Sequence, residues 1–209
     1  MINHIIISIY LFLYLIVYIL SHFPLDIIMY IKNNGIEYPN PPFRNSLETF
    51  LFVGSSISFW ICVSIFPVLS FLFGMNLFTI QFFEFIISDL KLVVQLIGCI
   101  ILTIGLIIGC LGRIGRGLYL SKKTPTLAKS WGHSIIRHPS YFHYISGFIG
   151  LPLFTFNPFY LLFVLGIPAY INVALTEDNV LESKFGEEFR VYKKKVGLLL
   201  PKFKKKELN

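Results

Sequence analysis

The sequence predicts an all-α integral membrane protein with about five transmembrane helices, the last two of them a helical hairpin. Three observations predict it. Of the 209 residues, 55% are hydrophobic and 14% charged, whereas soluble domains run at about 25% charged. The apolar residues fall into runs long enough to cross the hydrocarbon, which takes about 20 residues of helix. The basic residues collect beside those runs: most of the 18 Lys and Arg lie within 112–141 and 177–209.

The first run covers 4–22 and can continue to Ile31. It has no basic segment before it and no small-residue cleavage site after it, so it reads as a retained span and not a signal peptide. Lys32–Ser46, with Pro39, Pro41 and Pro42, is a loop. A second span follows at 47–73 and a third at 90–111. Between them, Gly74–Asp89 mixes Phe and Ile with Asn76, Gln81 and Glu84, a composition suited to the membrane interface. Within the third span, Gly105 and Gly109 form a small-xxx-small pair, which lets two helix backbones approach closely in lipid.

The run 139–175 is too long for one crossing. Asn157-Pro158 interrupts it, and a residue before proline avoids helical geometry. At 1.5 Å per residue, 139–155 rises about 25 Å and 158–177 returns about 30 Å. Both ends of this hairpin therefore reach the same face. Juxtamembrane Lys and Arg mark that face as cytosolic, and counting back through three spans places the N-terminus outside. The chain divides into N-terminal transmembrane helices (1–111) and a core (112–209) of cytosolic turn, hairpin and basic C-terminal segment, within one integral membrane domain.

The charge pattern also sorts possible partners. The net charge of +7 flanks apolar spans and accompanies no nucleic-acid-binding module, so it favours anionic lipid headgroups over nucleic acid. Lys193-Lys194-Lys195 and Lys204-Lys205-Lys206 suit a headgroup anchor. Cys62, Cys99 and Cys110 lie in apolar runs without paired spacing and read as small buried hydrophobes. No cluster has metal-ligand spacing. Gly112-Arg113-Ile114-Gly115-Arg116-Gly117 follows a membrane span instead of a strand, so it reads as a flexible cytosolic exit, unlike a nucleotide-binding turn.

The hairpin gathers chemistry at one end. It brings Arg137-His138-Pro139 close to Glu177-Asp178 at the membrane–cytosol boundary. Pro139 suits the first helical position, with His138 extended before it. The helix that starts there offers unpaired N–H groups and the positive end of its dipole to a carboxylate. Tyr141 and Tyr144 share a face and could stack on a purine or contact a sulfonium. These residues fit either a site acting on amphiphiles or an interfacial aromatic belt with a snorkelling arginine.

Here the sequence resembles the isoprenylcysteine carboxyl methyltransferase family, within the group that includes membrane phospholipid methyltransferases. The resemblance rests on Arg137-His138-Pro139-x-Tyr141, the hairpin, and Glu177-Asp178. It continues through Leu181, Phe185-Gly186, Glu188-Phe189, Tyr192, Val196 and Pro201, and covers about 110–203. Trp131-Gly132-His133 departs from it, since relatives usually carry Gly-Pro-Tyr there. So does Asn172–Thr176, where many relatives place arginines.

The resemblance implies S-adenosyl-L-methionine as cofactor in a cytosolic-face pocket, with His138, Pro139, Tyr141, Tyr144, Glu177 and Asp178 about it. Glu177 would pair with the cofactor's ammonium, and Arg137 would hold an acceptor carboxylate, its alternative being an ion pair with Glu177 or Asp178. The implied reaction is methyl transfer to a lipidic or prenylated acceptor, most simply an isoprenylcysteine carboxylate. A phospholipid headgroup amine and a non-catalytic membrane scaffold are the alternatives. A carboxylate is already ionised at neutral pH and needs no general base, and an amine needs one.

Overall fold

A computed structural model describes residues 2–32, 43–74, 88–120 and 126–202. Most of the expected loop at 32–46, most of the interfacial stretch 74–89, and the lysines at 122, 123 and 204–206 lie outside the described residues.

The described residues build α1 (His4–Lys32), α2 (Ser46–Phe73), α3 (Ser88–Leu120), a one-turn α4 (Gly132–Ile135), α5 (Pro139–Thr155), a 3-10 helix (Pro158–Gly166), α6 (Ile167–Phe185) and α7 (Glu187–Lys195). Four stretches are long and apolar enough to cross a membrane: His4–Leu25, Ser46–Phe73, Leu90–Leu118 and Pro158–Phe185. These make the chain an integral membrane protein by composition and length. The expected count was about five. The remaining hairpin arm, α5, has 17 residues and is shorter than those four. The outward faces are apolar, with Leu20, Phe50, Leu72 and Leu162 each well exposed, as lipid-facing surfaces are.

Local chemistry sets the boundaries. Asn45 caps α2 by accepting from the Glu48 amide at 2.8 Å, and Glu48 in turn accepts from the Arg44 amide at 2.7 Å. One orphan donor of the first turn is thereby satisfied, and the chain entering the helix is pinned. α5 begins at Pro139, where a missing N–H costs nothing, and ends at Phe156 in left-handed geometry (φ 54°). Asn157 then accepts from the Phe159 amide at 3.0 Å, which turns the chain at the expected place.

The return arm departs from the expected uniform helix. Residues 158–166 are 3-10, and α-helix resumes at Ile167, with Pro168 in its first turn. Proline has no N–H to continue an α ladder from the preceding turn, and the break falls there. At about 2 Å per residue, the 3-10 portion lengthens the arm.

The most extensive helix pairing is α3 against α5. A Cβ at Gly105 would lie 2.5 Å from Ser146 Cβ, and one at Gly109 would lie 2.8 Å from His143 Cβ. The small-xxx-small pair is therefore the close-approach face toward α5. The glycine run that follows is not a flexible exit: α3 continues as helix to Leu120. Gly112 packs on Pro139, and a Cβ at Gly115 would lie 2.9 Å from the Ser130 carbonyl. Gly112 leaves room for the Pro139 ring, and Gly115 for the Ser130 backbone.

The core comprises Ile7, Leu11, Phe59, Leu102, Phe148, Leu151 and Tyr170. At the bundle end away from Arg137, buried Gln95 ties three helices, accepting from the Ile2 amide at 2.9 Å and donating to the Phe154 carbonyl at 3.1 Å.

Candidate functional site

His138 is the residue before α5, and the return arm brings Glu177 and Asp178 onto its ring. His138 Nε2 lies 2.8 Å from Asp178 Oδ1, and Nδ1 lies 3.4 Å from Glu177 Oε2. Burial opposes charge on this imidazole. Hydrogen bonds and charge from the two carboxylates outweigh it and hold the pKa above the ordinary value.

Arg137 faces the same acid from the other side. Its Nε donates to Asp178 Oδ1 at 3.2 Å and its Nη2 to Asp178 Oδ2 at 2.8 Å. Its Nη1 donates to the Val196 carbonyl and, at 3.4 Å, to that of Lys193. The guanidinium is enclosed and every nitrogen has an acceptor. Lys193 Nζ adds positive charge 3.9 Å from Asp178 Oδ2.

A C-terminal strap closes this corner. Ile136 pairs in parallel with Gly197, the Arg137 amide donates to the Gly197 carbonyl at 2.8 Å, and the His138 amide donates to Leu198 at 3.2 Å. Tyr192 from α7 donates to the His133 carbonyl at 2.6 Å. His133 Nδ1 lies 3.0 Å from the Arg137 carbonyl. Burial pushes the His133 pKa down to about 4, against the opposing effect of that carbonyl, so its ring is neutral at pH 7.

The two acids thereby separate. Asp178 is 1% exposed, whereas the Glu177 side chain is 35% exposed. Glu177 is the reachable carboxylate. Tyr141 lies within hydrogen-bonding reach of it, and the Tyr141 ring is near-parallel to His138 with centroids 5.5 Å apart. Arg116 from α3 is close enough to act on Glu177. Pro139 is buried against Gly112. Tyr144, one turn further along α5, points elsewhere: its hydroxyl accepts from Trp60 Nε1 at 3.0 Å, and its ring is 5.3 Å from Tyr170.

All seven sequence-expected residues thus sit at one end of the hairpin, with Tyr144 a turn deeper. His133, Arg116 and Val196 stood out in the sequence only as a motif departure, part of a glycine run and a motif position, and not as site residues. His133 stands where relatives carry the Tyr of Gly-Pro-Tyr, which was the available signal. A hollow of about 490 Å³ beside α7 is lined by Lys129, Ser134, Glu187, Tyr192 and Lys195, and one of about 270 Å³ lies at the far end of the hairpin against Leu90, Leu153 and Phe156. Neither is lined by Glu177, His138 or Tyr141.

Fold and site together define a polytopic helical membrane protein with an acid–imidazole–arginine cluster where two helix ends meet. The chain is similar to methanethiol S-methyltransferase 1 of Bradyrhizobium diazoefficiens, 34% identical over 79 residues, which are 38% of this chain and 26% of that protein. It is likewise similar to the methanethiol S-methyltransferase of Pseudomonas deceptionensis, 36% identical over 86 residues, 41% of this chain and 30% of that protein. Methanethiol S-methyltransferase is a member of the isoprenylcysteine carboxyl methyltransferase family, and the resemblance read from the motifs stands. No family model matches the chain.

Proposed function

We propose that this protein is a membrane methyltransferase that uses S-adenosylmethionine at the Glu177–His138–Tyr141 end of the hairpin, on the cytosolic face. The observation that carries the reading is the division of labour between the acids. Asp178 is buried and held by Arg137 and His138, while Glu177 stays one-third exposed beside an aromatic ring. An exposed carboxylate and a ring face suit an ammonium and a purine. When bound, the cofactor supplies a methyl group on a sulfonium, already activated for displacement.

The chain's own residues bind and orient. Glu177 pairs with the ammonium, and His138 fixes the rotamer of Glu177 through Nδ1. Arg137 and Asp178 hold His138 at the head of α5, and Tyr141 offers a flat apolar face. Positioning and exclusion of water are the main contributions such a site can make to a displacement.

The acceptor we favour is a thiol, the class named for both relatives. Arg137 supports this indirectly, because its nitrogens are engaged by Asp178 and two carbonyls. A second reading keeps the isoprenylcysteine carboxylate, with Arg116 in place of Arg137 as its cation, since Arg116 acts on the Glu177 corner. The test supplies methyl-labelled S-adenosylmethionine to purified protein in lipid nanodiscs, with methanethiol or a farnesylcysteine acid as acceptor. Labelled dimethyl sulfide is the expected product. Label in the farnesyl ester alone selects the second reading, and transfer to neither sinks both.

A further inference from the structure

Deeper in the bundle, α1, α2 and α5 enclose a histidine that the cofactor cluster does not use. His143 is 3% exposed, and its Nε2 has no hydrogen-bond partner. Its Nδ1 faces the Tyr14 hydroxyl at 3.4 Å, and the Gly105 carbonyl also acts on the ring. The Tyr14, Tyr18 and Trp60 rings stack near it at 5.8, 5.4 and 6.0 Å, and Phe59 and Tyr144 stand edge-on at 6.3 and 5.3 Å. Tyr18, Trp60 and Tyr144 are each partly open while His143 lies buried behind them. Among the described residues, the other titratable or charged neighbours of the box are Tyr10 and His22 on α1 and Cys110 and Arg113 on α3.

We infer that this aromatic box is the acceptor site for a small thiol, and that His143 Nε2 takes the thiol proton. The inference rests on the methyltransferase reading above. Three physical points carry it. A buried nitrogen without a partner is costly, so an orphan kept in the core calls for a ligand. Sulfur packs favourably on aromatic rings, and among the described residues no carboxylate acts on the His143 ring. His143 lies five residues beyond His138, about 7.5 Å further along the same helix, which sets the box one step inward from Glu177.

The chemistry also requires it. A thiol, unlike a carboxylate, is mostly protonated at neutral pH. With Nδ1–H directed at the Tyr14 hydroxyl, Nε2 carries the free lone pair. The thiol S–H proton moves to Nε2 as the sulfur bonds to the methyl carbon. The bond from that carbon to the cofactor sulfonium breaks, and its electron pair stays on the cofactor sulfur. A neutral thioether leaves, and the positive charge ends on His143.

The test has two arms. Without cofactor, Trp60 fluorescence is titrated with methanethiol in wild type and in Trp60→Phe, in which Trp131 is the remaining indole. Saturable quenching in wild type that is absent from Trp60→Phe is expected, and no saturable quenching overturns the box whatever happens to the cofactor reading. In the second arm, His143→Phe keeps an aromatic ring and removes the nitrogen. Thiol methylation should fall at least 100-fold at pH 7 and then climb about tenfold per pH unit until the thiol ionises, with cofactor affinity unchanged. A wild-type rate and pH profile in His143→Phe overturns the base assignment. Loss of cofactor binding in wild type would instead strike the Glu177 reading, leaving the fluorescence arm to decide the box.

Discussion

Arg137 grips Asp178 fork to fork, with Nε and Nη2 on separate carboxylate oxygens at 3.2 and 2.8 Å and both side chains enclosed. The pair joins the start of α5 to the return arm, and the remaining Arg137 nitrogen joins both to the strap at Val196. Breaking a buried ion pair by deleting one partner strands the other charge and costs about 3–5 kcal/mol. Arg137→Ala should therefore lower the melting temperature strongly, and Arg137→Lys should do so partly, since it loses the fork. Cofactor affinity in the folded fraction should stay within a few-fold. A stable Arg137→Ala protein that loses only turnover would return Arg137 to the acceptor.

The two site histidines predict opposite pH dependences. His138 has a raised folded pKa, so its stabilisation is complete below its ordinary value of about 6.5 and is lost as pH rises through the folded value. His133 is lowered to about 4, so it costs stability as pH falls from about 6.5 toward 4. Melting temperatures from pH 4 to 9 should show His138→Gln flattening the alkaline side and His133→Gln flattening the acidic side. The reverse assignment would contradict the ring environments described.

Trp131 carries a backbone strain that its sequence position explains. It stands at φ 55° and ψ −131°, where the motif's relatives usually have glycine. A side chain in that region costs about 1–3 kcal/mol. Trp131→Gly should raise stability by about 1 kcal/mol after the glycine's greater unfolded-state freedom is subtracted. Thermal or denaturant unfolding checks the sign, and a destabilised glycine variant would mean that the half-exposed indole contributes more than the strain.

Much of this was legible because proline and asparagine punctuate the chain. Pro139 marks the head of α5 and Asn157-Pro158 its reversal, and those two marks suffice to bring His138 onto Glu177 and Asp178. The split between the acids was not legible, since it depends on carbonyls of Lys193 and Val196, which every residue type offers alike. Gly112–Gly117 misled for a related reason. Glycine signals flexibility or close approach, and only the presence of Pro139 and the Ser130 carbonyl against α3 decides which. His143 gave no signal of its own, because a single histidine in an apolar helix looks the same whether satisfied or orphaned.

The most direct test of the central claim is calorimetric titration of S-adenosylmethionine into detergent-purified wild type and Glu177→Gln. The substitution keeps the shape and removes the charge of the one-third-exposed acid. Saturable binding is predicted for wild type, weakened in Glu177→Gln by about 1.5–3 kcal/mol, the scale of a charged hydrogen bond, with the melting temperature little changed. No binding at millimolar ligand to demonstrably folded wild type, or equal affinity in the two proteins, would contradict the account.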